Sequence, residues 1–405
     1  MFRCITELKG LAIDIDSFKD DELSDWAEIE QQYKCLFITS KEDTAEELEY
    51  LYDGCVTYIL EGFRKLFAPS SRTHRDVLET LELETTEIAY VSKNMHFLEN
   101  AMGFLGGTIW VTDVISYSNA SKAPDLICRS LSDMNRVLKS NVKGFLGEVA
   151  IFPDEIARGM IIPVEFEIDG EIIPLYMLGR YFGYSHYMSQ LHPYSTAIYL
   201  NKRNGKAFGK FDPEFKRLYS LAVRRIQKNN HIDGICSVPP RPGRENRFKN
   251  ILEEIAEEND IWNLSDDMIC TEDYPTQKAL SQPEREENVE GVFRFNGDLS
   301  GMNIIIIDDI VSTGSTMREC IRELKGSGAE QIFIVVLAVN QIQGSYWSSV
   351  DPQICCPRCD EKMHLLINSY NKNFFYSCYE CRNSTLDFEQ GWGILCDQVN
   401  REFDD

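Results

Sequence analysis

Residues 303–316 read N-I-I-I-I-D-D-I-V-S-T-G-S-T, and this stretch narrows the possible folds further than any other. A run of isoleucines with no polar alternation fits a strand buried on both faces, as in a parallel sheet. Asp308 and Asp309 follow where such a strand would end, and Ser312, Thr313, Gly314, Ser315 and Thr316 form a loop of small residues. Beyond it, Met317, Cys320, Ile321 and Leu324 recur at helical spacing. A small-residue loop entering a helix presents unpaired N–H groups and the positive end of the helix dipole, which together bind phosphate. Two carboxylates beside that cradle would repel a phosphate unless they face something else, such as sugar hydroxyls. Acids for a ribose and amides for its 5-phosphate describe a ribose-phosphate site.

The stretch resembles the phosphoribosyl-pyrophosphate loop of type I phosphoribosyltransferases, an apolar strand followed by Asp-Asp and a Thr-Gly-x-Thr turn. Two upstream segments extend the likeness. Ile232–Pro240 reads as a short strand stopped by prolines, and Arg241, Arg244 and Arg247 follow it ahead of a helix over 248–257. Arginine forks match phosphate oxygens in a bidentate way that lysine cannot. Tyr274–Phe293 has no steady apolar period and reads as a long polar loop. Its Pro275-Thr276-Gln277, with Glu284, Arg285, Asn288, Val289, Gly291 and Phe293, resembles the flexible loop of the ComF-like phosphoribosyltransferases, as does the 238–247 segment.

The resemblance covers residues 212–340 and implies Mg²⁺-dependent transfer of ribose 5-phosphate from phosphoribosyl pyrophosphate to a base-like acceptor, releasing pyrophosphate. It implies that Asp308 and Asp309 hold the ribose hydroxyls and that 312–316 anchor the 5-phosphate. Arg241, Arg244 and Arg247 would bear the pyrophosphate charge with Mg²⁺. Lys278 and Arg285 would reach the departing group from a closing loop. The aromatic-rich residues 145–203 read either as core and rim or as a hood on which the base stacks. A rival of another class is a non-catalytic sensor of a nucleotide or phosphoribosyl pyrophosphate, or an assembly protein, that keeps the same fold.

In the first third, Leu11–Asp16, Cys35–Ser40, Glu87–Val91 and Thr108–Val111 read as short buried strands. Helices are expected over 43–66, 71–83, 97–104 and 124–138, and residues 212–228 read as an amphipathic helix further on. Strands alternating with helices imply a doubly wound α/β domain over residues 1–140. The order resembles the haloacid-dehalogenase-like fold, with Asp14 and Asp16 at the nucleophile motif and Thr39 or Ser40 at the second-strand hydroxyl. Ser17 and Phe18 stand where that family has Gly-Thr, and residues 90–101 lack its Mg²⁺-binding acids. The resemblance therefore implies a unit used for packing or dimerisation, with a phosphatase coupled to the transferase as the alternative.

After a final apolar strand over 331–339 the composition changes. Cys356-Pro-Arg-Cys359 is followed, after 18 intervening residues, by Cys378-Tyr-Glu-Cys381. Paired C-x-x-C knuckles are the signature of a closed tetrahedral zinc site, structural rather than catalytic, with a redox pair as the other reading, and Phe374–Tyr376 suit the hairpin of a zinc ribbon. In the ComF-like pattern a ribbon precedes the transferase domain, so here the order is reversed. The expected organisation is α/β: two doubly wound parallel-sheet domains, 1–140 and 141–345, followed by a zinc ribbon and tail over 350–405.

Thirteen cysteines, most of them scattered singly, suggest reduced thiols in a cytoplasmic protein. A net charge of −24 argues against non-specific nucleic-acid binding, and no apolar run is long enough for a membrane span or a signal peptide. A homodimer, or a protein partner bound through the first domain or the ribbon, is compatible with this pattern.

Overall fold

The computed structural model describes residues 8–19, 26–52, 55–62, 68–151, 158–184, 186–202, 208–274, 282–342, 352–382 and 384–403. Short apolar runs make the first sheet: β1 (Gly10–Asp14), β2 (Lys34–Thr39), β3 (Val56–Ile59), β4 (Ile88–Ser92), β5 (Gly107–Val111) and β6 (Leu126–Cys128). All are parallel, in the order β3-β2-β1-β4-β5-β6. The connections carry α1 (Trp26–Glu30), α2 (Glu42–Leu51), α3 (Ser71–Leu81), α4 (Met95–Met102) and α5 (Tyr117–Ala120), and α6 (Leu131–Lys139) follows β6.

Successive strand residues point to opposite faces, and helices cover both. Ala12, Ile38 and Tyr90 pack with Val77 of α3 and Leu98 of α4, while Leu11, Ile13 and Val91 pack with Trp26 of α1 and Met134 of α6. Two expected helices are corrected. The one over 43–66 stops at Leu51, because Val56-Thr57-Tyr58-Ile59 is a β-branched and aromatic run that pairs with β2. The one over 124–138 is interrupted by β6, whose three residues are all buried beside β5.

A small pair, β7 (Val142–Phe145) and β8 (Arg158–Met160), brackets α7 (Leu146–Ile151) at the junction with the second sheet. That sheet comprises β9 (Ile162–Ile168), β10 (Glu171–Met177), β11 (Arg180–Phe182), β12 (Gly234–Ser237) and β13 (Trp262–Asn263), then β16 and β17 below. Between them β14 (Met268–Cys270) and β15 (Phe293–Phe295) form a separate ribbon. The central strands are β16 (Asn303–Val311) and β17 (Gln331–Gln341), and the order is β13-β12-β16-β17-β10-β9 with β11 beside the end of β17. The sheet is not wholly parallel. β9 runs antiparallel to β10, because Asp169 and Gly170 both take positive φ and close a tight hairpin.

The helices of this part are α8 (Pro193–Asn201), α9 (Asp212–Gln227), α10 (Lys249–Asn259), α11 (Gln282–Glu287) and α12 (Ser315–Gly326). The polar 274–293 segment thus contains a short helix rather than being loop throughout. The cysteine-bearing segment adds the antiparallel β18 (His364–Ile367), β19 (Phe374–Ser377) and β20 (Thr385–Asp387), and ends in α13 (Phe388–Arg401).

One apolar core runs through both sheets and the cysteine-bearing segment. At the junction of the sheets, buried Arg180 donates to both oxygens of Glu148 at 2.9 Å and to Asp125 Oδ1 at 3.0 Å. Charges buried this deeply need such partners, and the three side chains fix the seating of one sheet on the other. Among the described residues no helix is long and apolar enough to cross a membrane.

Candidate functional site

The polypeptide leaves β12 toward β13 on one side and leaves β16 toward β17 on the other. The loops at the carboxyl ends of these neighbouring strands therefore diverge and leave a crevice between them, which is where open α/β sheets bind ligands. β16 supplies Asp308 and Asp309, the loop after it supplies 312–314, and the loop after β12 supplies Arg247.

Asp308 and Asp309 are adjacent but differ electrostatically. Each carboxylate accepts the following backbone N–H, Asp309 N at 2.8 Å and Ile310 N at 2.7 Å. Tyr219 of α9 donates its hydroxyl to the Asp308 carbonyl at 2.8 Å. Arg247 lies 2.6 Å from Asp309 Oδ2 and 3.6 Å from Asp308 Oδ1, and Lys202 Nζ lies 3.2 Å from Asp309 Oδ2. Burial opposes ionisation of Asp309, but Arg247 and then Lys202 overcome it and hold its carboxyl below the usual range. Burial and then the Asp309 charge push the Asp308 carboxyl well above that range, and Arg247 only partly offsets this. The pair therefore shares its charge unequally, with Asp309 favoured in the ionised form and Asp308 in the protonated one.

The small-residue loop has the conformation that its sequence requires. Gly314 sits at φ +81° as the N-cap of α12, and a Cβ there would lie 2.7 Å from the Phe166 ring. Both the left-handed backbone and the close approach exclude other residues. No side chain caps the helix, so the first-turn N–H groups beyond Gly314 are not satisfied by a capping group. Thr313 Oγ1 and Ser315 Oγ are 3.1 Å apart, and Arg318 donates to the Thr313 carbonyl at 2.8 Å. Amides and hydroxyls next to a carboxylate pair can hold a phosphorylated polyol, with its anion on the helix and its hydroxyls on the acids.

The three arginines separate. Arg247 joins the acids, Arg244 lies exposed in a turn, and Arg241 stacks on Tyr274 at 4.2 Å, 3.6 Å from Asp273. Arg241 thus stands at the base of the 275–281 segment. Lys278 and the Pro275-Thr276-Gln277 motif lie outside the described residues, and Arg285 is half-buried on α11. Lys202 was not singled out by the sequence. Its only signal is a Lys-Arg pair closing the apolar α8, and its ammonium lies 5.8 Å from the Tyr181 ring.

At the carboxyl edge of the first sheet, Asp16 accepts from the Thr39 hydroxyl (2.7 Å) and from both the amide (2.7 Å) and hydroxyl (2.6 Å) of Ser40. Asp14 accepts from the Ser92 hydroxyl at 2.6 Å, and burial pushes its carboxyl up to about 6. Ser92 ends β4 and Lys93-Asn94 follow it, with no acid among the three.

The four knuckle cysteines converge. Their sulfurs all lie within 4.8 Å of one another, with Cys356–Cys381 at 4.0 Å and Cys359–Cys378 at 3.6 Å. Tetrahedral zinc with Zn–S bonds of about 2.3 Å places sulfurs about 3.8 Å apart, so the set fits the ion. Backbone N–H groups of Arg358 and Cys381 approach the Cys356 and Cys378 sulfurs at 3.4 Å.

Comparison with known proteins bears on the second sheet. Residues 272–356 match the family model of the phosphoribosyl transferase domain. Competence protein F of Haemophilus influenzae is 26% identical over 138 residues, 31% of this chain and 60% of the relative. The transcriptional regulator GfcR of Picrophilus torridus is 37% identical over 80 residues, 18% of this chain and 40% of the relative. The DNA utilization protein YhgH of Salmonella typhi is 37% identical over 57 residues, 14% of this chain and 25% of the relative. The matches thus span less than two thirds of each of these proteins.

Proposed function

We propose that the crevice between β12 and β16 transfers ribose 5-phosphate from phosphoribosyl pyrophosphate to a base-like acceptor. The observation that carries this reading is the succession on β16–α12 of an acid pair, a tight glycine turn and an uncapped helix start, within a segment similar to the phosphoribosyl transferase domain. Residues 312–316 anchor the 5-phosphate and contribute binding energy remote from the reacting carbon. Asp308 and Asp309 orient the ribose through its hydroxyls. Arg247, already charged and in the crevice, is placed to follow negative charge as pyrophosphate departs. Arg241 and Arg244 are carried by the same loop, and Lys278 and Arg285 belong to the segment that would cover the site.

The Asp308 and Asp309 carboxylates converge on one cation, the Arg247 guanidinium, so the pair fits a cation shared with the ligand. Mg²⁺ bound there with the donor would supply countercharge for the leaving pyrophosphate. The three-part organisation, 1–140, 141–345 and 350–405, belongs to the same reading. In it the first part is a haloacid-dehalogenase-like unit without phosphatase chemistry, and the last is a zinc ribbon.

A second reading is favoured by one feature of the site. The acid pair is countered from within the chain by Arg247 and Lys202, which suits a protein that binds a nucleotide or phosphoribosyl pyrophosphate and responds to it without turnover. Titration calorimetry with phosphoribosyl pyrophosphate and Mg²⁺, followed by assay of released pyrophosphate with added bases, separates the two. Binding with release supports transfer, and binding without release under any acceptor supports the regulator. Absence of binding removes both.

A further inference from the structure

The connection between β5 and β6 leaves the first sheet at its carboxyl edge and is fastened along its length to the second. Near its start, Glu165 N–H of β9 donates to the Ile115 carbonyl at 2.8 Å, and Ser116 bridges Glu165. Near its end, the Gln341 amide donates to the Ala120 carbonyl at 3.0 Å and accepts the Ala123 N–H at 2.8 Å, while Ile342 N–H donates to the Ser121 carbonyl at 2.8 Å. Between these anchors Tyr117 reaches the small-residue loop and donates its hydroxyl to the Ser312 carbonyl. Its ring packs edge-on against Phe166 at 4.8 Å, and Phe166 is the ring that fills the space a Gly314 side chain would take. Arg318 also lies over the Phe166 ring, at 4.8 Å from its centroid, with its Nη1 on the Thr313 carbonyl.

Peptide planarity gives these contacts a direction. In a trans peptide the carbonyl of one residue and the N–H of the next point in opposite senses. A donor fixed on the Ser312 carbonyl therefore turns the Thr313 N–H away from Tyr117, and Arg318 on the Thr313 carbonyl does the same for the Gly314 N–H. Without these donors either peptide could rotate and present a carbonyl oxygen to an incoming anion. Burial pushes the Tyr117 phenol up, so the group stays a donor throughout the neutral range.

We propose that Tyr117, contributed by the first sheet, is a positioning residue for the phosphate loop of the second, holding residues 312–314 with their N–H groups toward the ligand. The inference rests on the phosphoribosyl reading of that loop and gives the first sheet a part in it. The phosphate site is then complete only when the first sheet is seated on the second. Arg318 does within the second sheet what Tyr117 does from outside it.

The test is Tyr117→Phe in the full chain, which keeps the ring on Phe166 and removes only the donated hydrogen bond. Ribose 5-phosphate is the probe, by calorimetry, with amide hydrogen exchange measured on the ligand-free protein. A roughly fivefold rise in Kd is expected from the loss of one hydrogen bond. Exchange should quicken at residues 313–316 and stay unchanged at 320–324 of α12, with the melting temperature within a few degrees of wild type. A purely structural role would instead lower the melting temperature and raise exchange along the whole 115–125 connection. If wild type binds ribose 5-phosphate and Tyr117→Phe matches it in both affinity and exchange, the positioning role is overturned alone. If wild type does not bind ribose 5-phosphate, the phosphoribosyl reading fails first and takes this inference with it.

Discussion

Asp308 and Asp309 show how far two neighbouring residues of one type can diverge. The Asp308 carboxyl is raised in the folded state, so the fold binds its proton more tightly than the unfolded chain does. Stability from this group is therefore greatest at acid pH and declines as pH rises from the ordinary carboxylate range toward about 7. Asp308→Asn should accordingly raise the melting temperature at pH 8 and change it little at pH 4, while weakening ribose 5-phosphate binding at pH 8. Equal melting shifts at both pH values would show that Asp308 is not held up by its surroundings. Arg247→Met acts in the opposite direction by leaving the acids with Lys202 alone. Because the Arg247 side chain is 40% exposed, the cost should fall below the roughly 3–5 kcal/mol of a fully buried pair, and denaturant titration at pH 7 would measure it. The acids could be read from the sequence because they end an apolar run. Lys202 could not, since it meets Asp309 across 107 positions and a Lys-Arg pair at a helix end does not point to a distant acid.

At the scale of elements, the turn between β16 and α12 is the most constrained. Gly314→Ala would combine a positive φ, which costs about 1–3 kcal/mol in a side-chain-bearing residue, with a collision against Phe166. Loss of ribose 5-phosphate binding is expected with both sheets still folded, which calorimetry and circular dichroism together would show. β16 could be read from its unbroken isoleucine run, and α9 and α10 because each carries an apolar period over several turns. β3 and β6 are only four and three residues long, too few to set a period against helical flanks. The antiparallel β9 escaped for a different reason. Its alternation of buried and exposed residues sits in an aromatic-rich region that reads equally well as core or hood.

At the scale of the molecule, the cysteine-bearing segment is held at both ends. Lys372 pairs with Glu214 of α9 at 2.6 Å, and Phe374 stacks near Phe211 at 6.4 Å. From the other end α13 returns to the first sheet. There the Asn400 amide donates to Glu84 at 2.6 Å, and Phe403 meets the buried His74 edge-on at 4.5 Å. Loading the four cysteines with zinc should therefore stabilise more than the segment itself. Chelation, or Cys359→Ser, is expected to lower the melting temperature and to speed amide exchange around 84–86 of the first sheet. Exchange changes confined to 352–387 would show that the clasp does not transmit. None of this clasp could be read from the sequence, because its polar contacts join residues from 158 to 316 positions apart.

The return of α13 also has a consequence for biosynthesis. Asn400 accepts the Thr86 N–H from 314 positions away, so the first sheet leaves the ribosome long before the helix that covers it. At synthesis rates of about 5–20 residues per second, that interval is roughly a quarter of a minute to a minute. Throughout it, the apolar surface around His74 and Phe104 stands open to whatever else is in reach. The nascent chain then carries an apolar surface open to aggregation, which the finished protein hides beneath α13 and Phe403.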